Sequence, residues 1–172
     1  MTIGESLLSE YDHEVASTRR ILERVPDARL AWQPHKKSMS LGRLASHVSE
    51  IPDLGSMALT RDELDFAPQP GQPSHESADF GSCAEILANF DRSSAQTRAN
   101  LASVTDEAMG ETWTVRAGSH VILQAPRAAG YRSVMMNHLI HHRGQLSVYL
   151  RLCEIPVPGM YGPSSDERMP QA

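Results

Sequence analysis

The sequence predicts an all-α protein: a four-helix bundle with a long crossover between helices two and three and a short β-hairpin before helix four. Three observations predict this fold. Apolar residues recur at steps of three and four in four separate segments, as they do on the buried face of a helix. A stretch rich in proline and glycine separates the second and third segments. A partly alternating stretch precedes the fourth.

The first two helices are marked by their apolar spacing and by the residues that end or begin them. The first is predicted over residues 3–25, and Pro26 stops it. The second is predicted from residue 41 to residue 57, with Ser38 or Ser40 as its N-cap. Pro52 lies inside this second helix, so we expect a bend or the loss of one backbone hydrogen bond there.

The second half of the chain is predicted in the same way. Residues 65–81 form the crossover, and a third helix follows over residues 83–104. Residues 113–126 alternate in strand fashion around Ala117-Gly118, which indicates the hairpin. The fourth helix begins between residues 126 and 132 and ends near Leu152, before a tail dense in proline and glycine.

Length and composition limit the class of protein. The 172 residues suit one domain, residues 1–172, and 40% hydrophobic with 22% charged residues is a globular balance. A formal net charge of -5 argues against nucleic acid as a partner. The sequence has neither a basic, apolar leader nor a run of about 20 apolar residues, so we expect no membrane association and a cytoplasmic protein. Two cysteines without a C-x-x-C partner fit a reducing compartment.

Three histidines lie on stripes that are otherwise apolar. His138 and His142 are four residues apart, which stacks them on one helix face, and His47 lies in the stripe of the second helix. A buried imidazole without a partner would lose its water without compensation. The three rings either share a divalent metal ion or are neutral core histidines, each hydrogen-bonded to a backbone carbonyl or a carboxylate. The residues by themselves leave both interpretations open.

Two segments closely resemble the DinB superfamily of metal-dependent proteins. They are KSMSLGRLASHVSEI at residues 37–51 and NHLIHHRGQLSVYLRLCEIPVPGMYGPSSDE at residues 137–167, and the resemblance extends over essentially the whole chain. The most specific motif is His-x-x-x-His-Arg-Gly-Gln at residues 138–145. The resemblance implies a four-helix bundle, usually dimeric, with one histidine of the second helix and two of the fourth around nickel or zinc.

Transferred position by position, the implied metal ligands are His47, His138 and His142. His141 belongs to the same motif but faces about 100° away from His142 on a helix, so it is left out of the ligand set. Three neutral imidazoles would leave at least one coordination position open. A bound metal can acidify water there, or hold a thiolate.

The implied function is a metal-dependent enzyme acting on a small-molecule substrate. The resemblance suggests a thiol-dependent S-transferase or a hydrolase, with a nickel or zinc ion, a low-molecular-weight thiol as a further cofactor, and a homodimer. The alternative is a stress-responsive metal-binding protein without catalytic turnover. Elemental analysis and a panel of thiol and ester substrates separate the two.

Other polar residues near the motif receive simpler interpretations. We expect Glu50 to be solvated rather than to serve as a general base or as a partner of the metal ligands. Arg143 and Arg151 are candidates, by sequence proximity alone, for binding the carboxylates of a thiol cofactor. Gly144 is expected to let another backbone approach closely. We expect packing roles for two tyrosines and two cysteines and solvent exposure for four histidines: Tyr149, Tyr161, Cys83, Cys153, His13, His35, His75 and His120.

Overall fold

The structure is a computed structural model that describes residues 1–68 and 78–167. It is mostly helical with a small three-stranded sheet. The helices are α1 (Ile3–Leu22), α2 (Leu41–Thr60), α3 (Cys83–Ser103), α4 (Asp106–Gly110), α5 (Arg127–Tyr131) and α6 (His138–Leu152), with a 3-10 turn at Asp27–Arg29 and a π-helical turn at Arg132–Asn137. The strands are β1 (Glu63–Asp65), β2 (Thr112–Ala117) and β3 (His120–Pro126). Within the described ranges, no helix combines the length and the apolar character needed to cross a bilayer.

The long helices begin where short polar side chains cap them. The Thr2 hydroxyl accepts a hydrogen bond from the Glu5 amide, and the Glu5 carboxylate accepts one from the Thr2 amide. Ser40, rather than Ser38, caps α2. Ser82 caps α3, which begins where the sequence predicted. At the other end, α1 stops at Leu22, three residues before the predicted boundary.

The core lies between four long helical segments. The most buried of them, α2, packs against α3 on one side and against the run that ends in α6 on the other, while α1 packs against both α3 and α6. Each fully buried leucine, isoleucine or phenylalanine contributes about 1.5–3 kcal/mol relative to exposure. This core includes Leu44, Val48, Ile51, Phe90, Leu101, Met135, Leu139 and Leu146.

Pro52 does not end α2, which continues for another two turns to Thr60. Side chains of α3 donate hydrogen bonds to backbone carbonyl oxygens of α2 at Pro52 and one turn before it. Ser93 and Asn89 donate to the Ser49 carbonyl, and Thr97 donates to the carbonyl of Pro52 itself. These donors support backbone oxygens in the region where the proline removes a helical N–H.

The predicted hairpin is confirmed, and it belongs to a larger sheet. Strands β2 and β3 pair antiparallel, with Gly118 at a positive φ of 59° in the turn. The sequence did not predict β1, which pairs parallel with β2 and ends at Asp65, where the expected crossover begins. Residues 69–77 of that crossover lie outside the described residues.

The fourth predicted helix is present but not uniform. A single helical run extends from Arg127 to Leu152, and residues Arg132–Asn137 within it form a π-helical turn. Such turns are rare, and they are often found at functional sites. This one ends directly before His138 and therefore sets the rotation of the first histidine of the motif.

Candidate metal centre

Three imidazole rings from two helices meet at one point. His47 comes from α2, and His138 and His142 come from α6. The Nε2 atoms of His47 and His138 are 3.2 Å apart, and one ring nitrogen from each of the three residues lies within 4.8 Å of the other two. The ring centroids are 4.5 to 5.0 Å apart. All three side chains are half-buried.

This spacing fits a shared metal ion. With zinc–nitrogen bonds of about 2.0–2.1 Å in tetrahedral geometry, two imidazole nitrogens lie about 3.3 Å apart. The His47 to His138 distance of 3.2 Å is close to that value. Neutral imidazoles suit zinc, nickel and copper. The three histidines can therefore hold one divalent metal ion.

In both α6 histidines, the Nδ1 atom lies near an oxygen atom that can accept its proton in a hydrogen bond. The Nδ1 of His142 is 2.7 Å from Oε1 of Gln145, and the Nδ1 of His138 is 3.3 Å from the carbonyl oxygen of Val134 in the π-helical turn. An acceptor at Nδ1 favours the tautomer with its proton on that atom. The Nε2 lone pair is then free for a metal ion, as in most histidine metal sites.

His47 has a carboxylate behind it. Its Nδ1 is 3.8 Å from Oε2 of Glu50, one helical turn later. The expectation that Glu50 is solvated is wrong, because this residue is 5% exposed. Arg43 donates to Glu50 at 3.0 Å, and the Ala78 amide donates to its other oxygen. Arg43 lies two turns before Glu50 on the same face of α2, and this spacing was the signal that the sequence offered.

The surroundings keep these groups in the protonation states that metal binding needs. Burial lowers the pKa of His138, and the neighbouring His47 ring lowers it further. Burial lowers the pKa of His142 to about 4, an effect that Gln145 opposes and the other rings reinforce. Burial raises the pKa of Glu50, but its contacts with His47, the Ala78 amide and Arg43 together bring it below the ordinary value. At neutral pH these shifts favour neutral rings for His138 and His142 and an ionised Glu50 carboxylate.

The arrangement bears on the alternative of purely structural histidines. That alternative accounts for the Nδ1 contacts with Val134 and Gln145. A hydrogen bond between the Nε2 atoms of His47 and His138, with the proton on one of them, also accounts for their separation of 3.2 Å. It does not account for the third ring, His142, which brings a nitrogen within 4.8 Å of both. The geometry favours the metal interpretation.

Comparison with known proteins places the chain in a family. The family model described as "DinB family" matches residues 2–171. The chain belongs to the DinB family. The uncharacterized protein YrdA of Bacillus subtilis strain 168 is 26% identical over 164 residues, which cover 95% of this chain and 90% of YrdA.

Two solved structures share the DinB-like fold. One is a DinB-like protein from Bacillus cereus ATCC 10987, with a TM-score of 0.66 and 21% identity, covering 91% of this chain and 97% of the other. The second is the DinB-like protein YjoA from Bacillus subtilis, with a TM-score of 0.66 and 19% identity, covering 90% and 97%. These likenesses show that the chain has a mostly helical, DinB-like fold.

The two arginines proposed for a thiol cofactor have other partners in this DinB-family chain. Arg143 is 1% exposed and forms an ion pair with Glu14 of α1 at 2.6 Å. It also donates to the hydroxyl of Tyr161, at 2.6 Å. Arg151 pairs with Asp166 near the surface. Carboxylates of the chain itself therefore engage both guanidinium groups.

The glycine, the cysteines and the remaining histidines lie in different surroundings. The close packing expected at Gly144 is wrong, because a Cβ built there meets no atom within 4 Å among the described residues. Both cysteines are half-buried against the core. His141 is exposed and lies next to the His142 ring. Exposure is confirmed for His13, His35 and His120, whereas His75 lies outside the described residues.

Proposed function

We propose that this DinB-family protein is a metal-dependent enzyme that acts on a small molecule, with one nickel or zinc ion held by His47, His138 and His142. The observation that carries the proposal is the convergence of one ring nitrogen from each histidine within 4.8 Å. The contacts behind the rings support it, because they orient the ligand atoms before any ion arrives. We further propose a cytoplasmic homodimer built on a four-helix bundle.

The residues present suit catalysis better than simple storage. Three imidazoles leave a coordination position open, where a bound divalent ion supplies Lewis acidity to water, a thiol or a substrate oxygen. Gln145 contacts the His142 ring at 2.7 Å, and the Glu50 carboxylate lies 3.8 Å behind the His47 ring, so both groups favour a fixed orientation of the ligand set while other molecules exchange. Apolar side chains also lie near His138.

The reaction we propose is S-transfer from a low-molecular-weight thiol or hydrolysis of an ester-like bond. Both reactions use an open coordination position next to the substrate. A thiol that carries several carboxylates would need free cationic groups, and Arg143 and Arg151 are paired with Glu14 and Asp166. A neutral or weakly charged thiol is therefore the better candidate for the first reaction.

Metal content tests the site directly. Protein purified without a nickel column should contain about one divalent ion per chain by elemental analysis. A variant with His47, His138 and His142 all changed to Ala should contain none. His141→Ala is the matched control, because it removes an exposed histidine of the same motif and should keep the ion. A triple variant that retains the ion would contradict the proposal.

Turnover separates the enzyme from a metal-binding protein without catalytic activity. The metal-loaded protein should consume a thiol together with an electrophile, or hydrolyse members of an ester panel, and the triple variant should do neither. If the native protein binds its ion but turns over no member of either panel, the non-catalytic function replaces the enzymatic one.

A further inference from the structure

A cavity of about 500 Å³ lies next to His138. The His138 ring is part of the histidine cluster and also lines the cavity, whereas His47 and His142 do not line it. The volume lies within the range of about 300–1,000 Å³ that is usual for small-molecule sites. The other lining residues are Leu54, Phe66, Val115, Ile122, Leu123, Ser133, Val134, Asn137 and His141.

Apolar side chains from different parts of the chain form most of this wall. Leu54 comes from α2, Phe66 follows β1, Val115 lies on β2, and Ile122 and Leu123 lie on β3. The small sheet is thus the wall that faces the helix carrying His138. The strand order places these residues together although they are separated by up to about 70 positions in the sequence.

The wall has no formal charge among the described residues. Its polar groups are the side chains of four residues on the helical run from Arg127 to Leu152: Ser133, Asn137, His138 and His141. Phosphate and carboxylate groups are recognised in proteins by arginine and lysine. The described wall offers neither, so it is unsuited to a nucleotide, a sugar phosphate or another polyanion.

Two of the apolar wall residues are left facing solvent. Phe66 is 46% exposed and Ile122 is 55% exposed. Large apolar side chains around a concave site gain free energy when a ligand covers them. Val121, the neighbour of Ile122 on β3, is exposed to a similar degree at 52% but does not line the cavity. This neighbouring pair provides a test with a built-in control.

We propose that the cavity binds the apolar body of an uncharged small molecule, whose polar group faces Asn137, His138 and the metal. The inference rests on the proposed function and specifies its substrate class. The apolar side chains of the sheet favour ligands with an apolar body. The helical side supplies the hydrogen-bonding groups that fix the orientation of the substrate.

A neutral fluorescent probe tests the cavity without reference to the metal. N-phenyl-1-naphthylamine should gain fluorescence on binding to both metal-loaded and chelator-treated protein. Ile122→Asp should weaken this binding at least about tenfold, because the ligand would desolvate a charge. Val121→Asp should bind the probe as the wild type does. Equal binding by the wild type and both variants, with melting temperatures matched, would overturn the proposal.

A double variant keeps the two proposals separate. His47→Ala combined with His142→Ala removes two proposed ligands that do not line the cavity. This variant should lose the metal and still bind the probe, which supports the cavity. If the wild type binds the probe but no metal, the proposed function fails while the cavity stands. If the wild type binds metal but not the probe, the cavity proposal fails alone.

Hydroxamates test whether the cavity and the metal form one site. With metal-loaded protein, octanohydroxamate should bind more than about tenfold more tightly than acetohydroxamate, because its chain buries additional methylene groups. Ile122→Asp should abolish this advantage, and Val121→Asp should preserve it. Equal affinities of both hydroxamates for the wild type would overturn the idea that an apolar body lies beside the metal.

Discussion

Two polar clusters begin at neighbouring residues of α6, and they differ in the kind of partner that each polar side chain faces. Arg143 is buried against Glu14, with Thr18 and the Tyr161 hydroxyl as further partners. His142 contacts Gln145 through Nδ1, and its remaining ring nitrogen faces the other two histidines. The chain thus supplies acceptors for both terminal nitrogens of the Arg143 guanidinium, whereas ring nitrogens of the three histidines face one another.

The difference separates a structural role from a functional one. A buried ion pair with its partners in place ties α1, α6 and the C-terminal tail together. Three converging imidazole nitrogens can share one divalent ion, and only the folded chain brings all three within its reach. Changes in the first cluster should therefore alter stability, and changes in the second should alter metal binding.

The largest expected effect on stability comes from Arg143→Ala. Removing one partner of a buried ion pair leaves the other charge uncompensated, so the free energy of unfolding should fall by about 3–5 kcal/mol. Urea denaturation of metal-free protein measures it. Arg151→Ala is the control, because that arginine pairs with Asp166 near the surface, and its loss should cost less than about 1 kcal/mol. Similar losses in both variants would remove the distinction between the two clusters.

Glu50→Gln should act mainly on the metal. The variant replaces the negative carboxylate behind His47 with a neutral amide, so metal affinity should fall about 10–100-fold. Competition with a chelating dye measures this affinity. Asp53→Asn is the control: it lies one turn later on α2 and pairs with Arg92. If both variants keep the wild-type affinity, Glu50 does not position His47.

Most of the fold followed from local patterns in the sequence. Apolar residues that recur every three or four positions predicted the long helices, and Ser40 and Ser82 mark where two of them begin. Strand β1 escaped prediction because it has three residues and its partner strand lies about 50 residues further along the chain. The π-helical turn was not predicted, because the spacing of apolar residues does not distinguish it from an α-helix.

The site was predictable to a lesser degree. The spacing of His138 and His142 and the family resemblance located three residues that the structure brings together. The surroundings were misjudged, because burial of Glu50 and Arg143 depends on partners from distant segments, such as Ala78 and Glu14. An ionisable residue close in sequence to a site can equally well face the core or the cavity.

The pH dependence of the metal-free protein should reflect His142. Its pKa is lowered from 6.5 to about 4 by burial, so between these values the unfolded chain binds more protons than the folded one. The free energy of unfolding should therefore fall as the pH drops from 6.5 towards 4. Denaturation at several pH values should show a smaller fall for His142→Asn, while His120→Asn, at an exposed position, should match the wild type. Parallel curves for all three proteins would contradict this assignment.

The smallest effect concerns Gly144, next to the two clusters. It lies within α6, and a Cβ there meets no described atom within 4 Å. Gly144→Ala should raise the free energy of unfolding by up to about 1 kcal/mol, because alanine favours the helix. A thermal melt measures the change. Destabilisation, accompanied by a shift from dimer to monomer in light scattering, would show instead that a second copy packs on this face.

Anomalous diffraction from crystals of metal-loaded protein tests the central claim most directly. The account predicts one peak at the absorption edge of the bound metal, about 2.0–2.1 Å from the Nε2 atoms of His47, His138 and His142. A peak bound through Nδ1 or at another place in the chain would contradict it. So would the absence of a peak at these three rings.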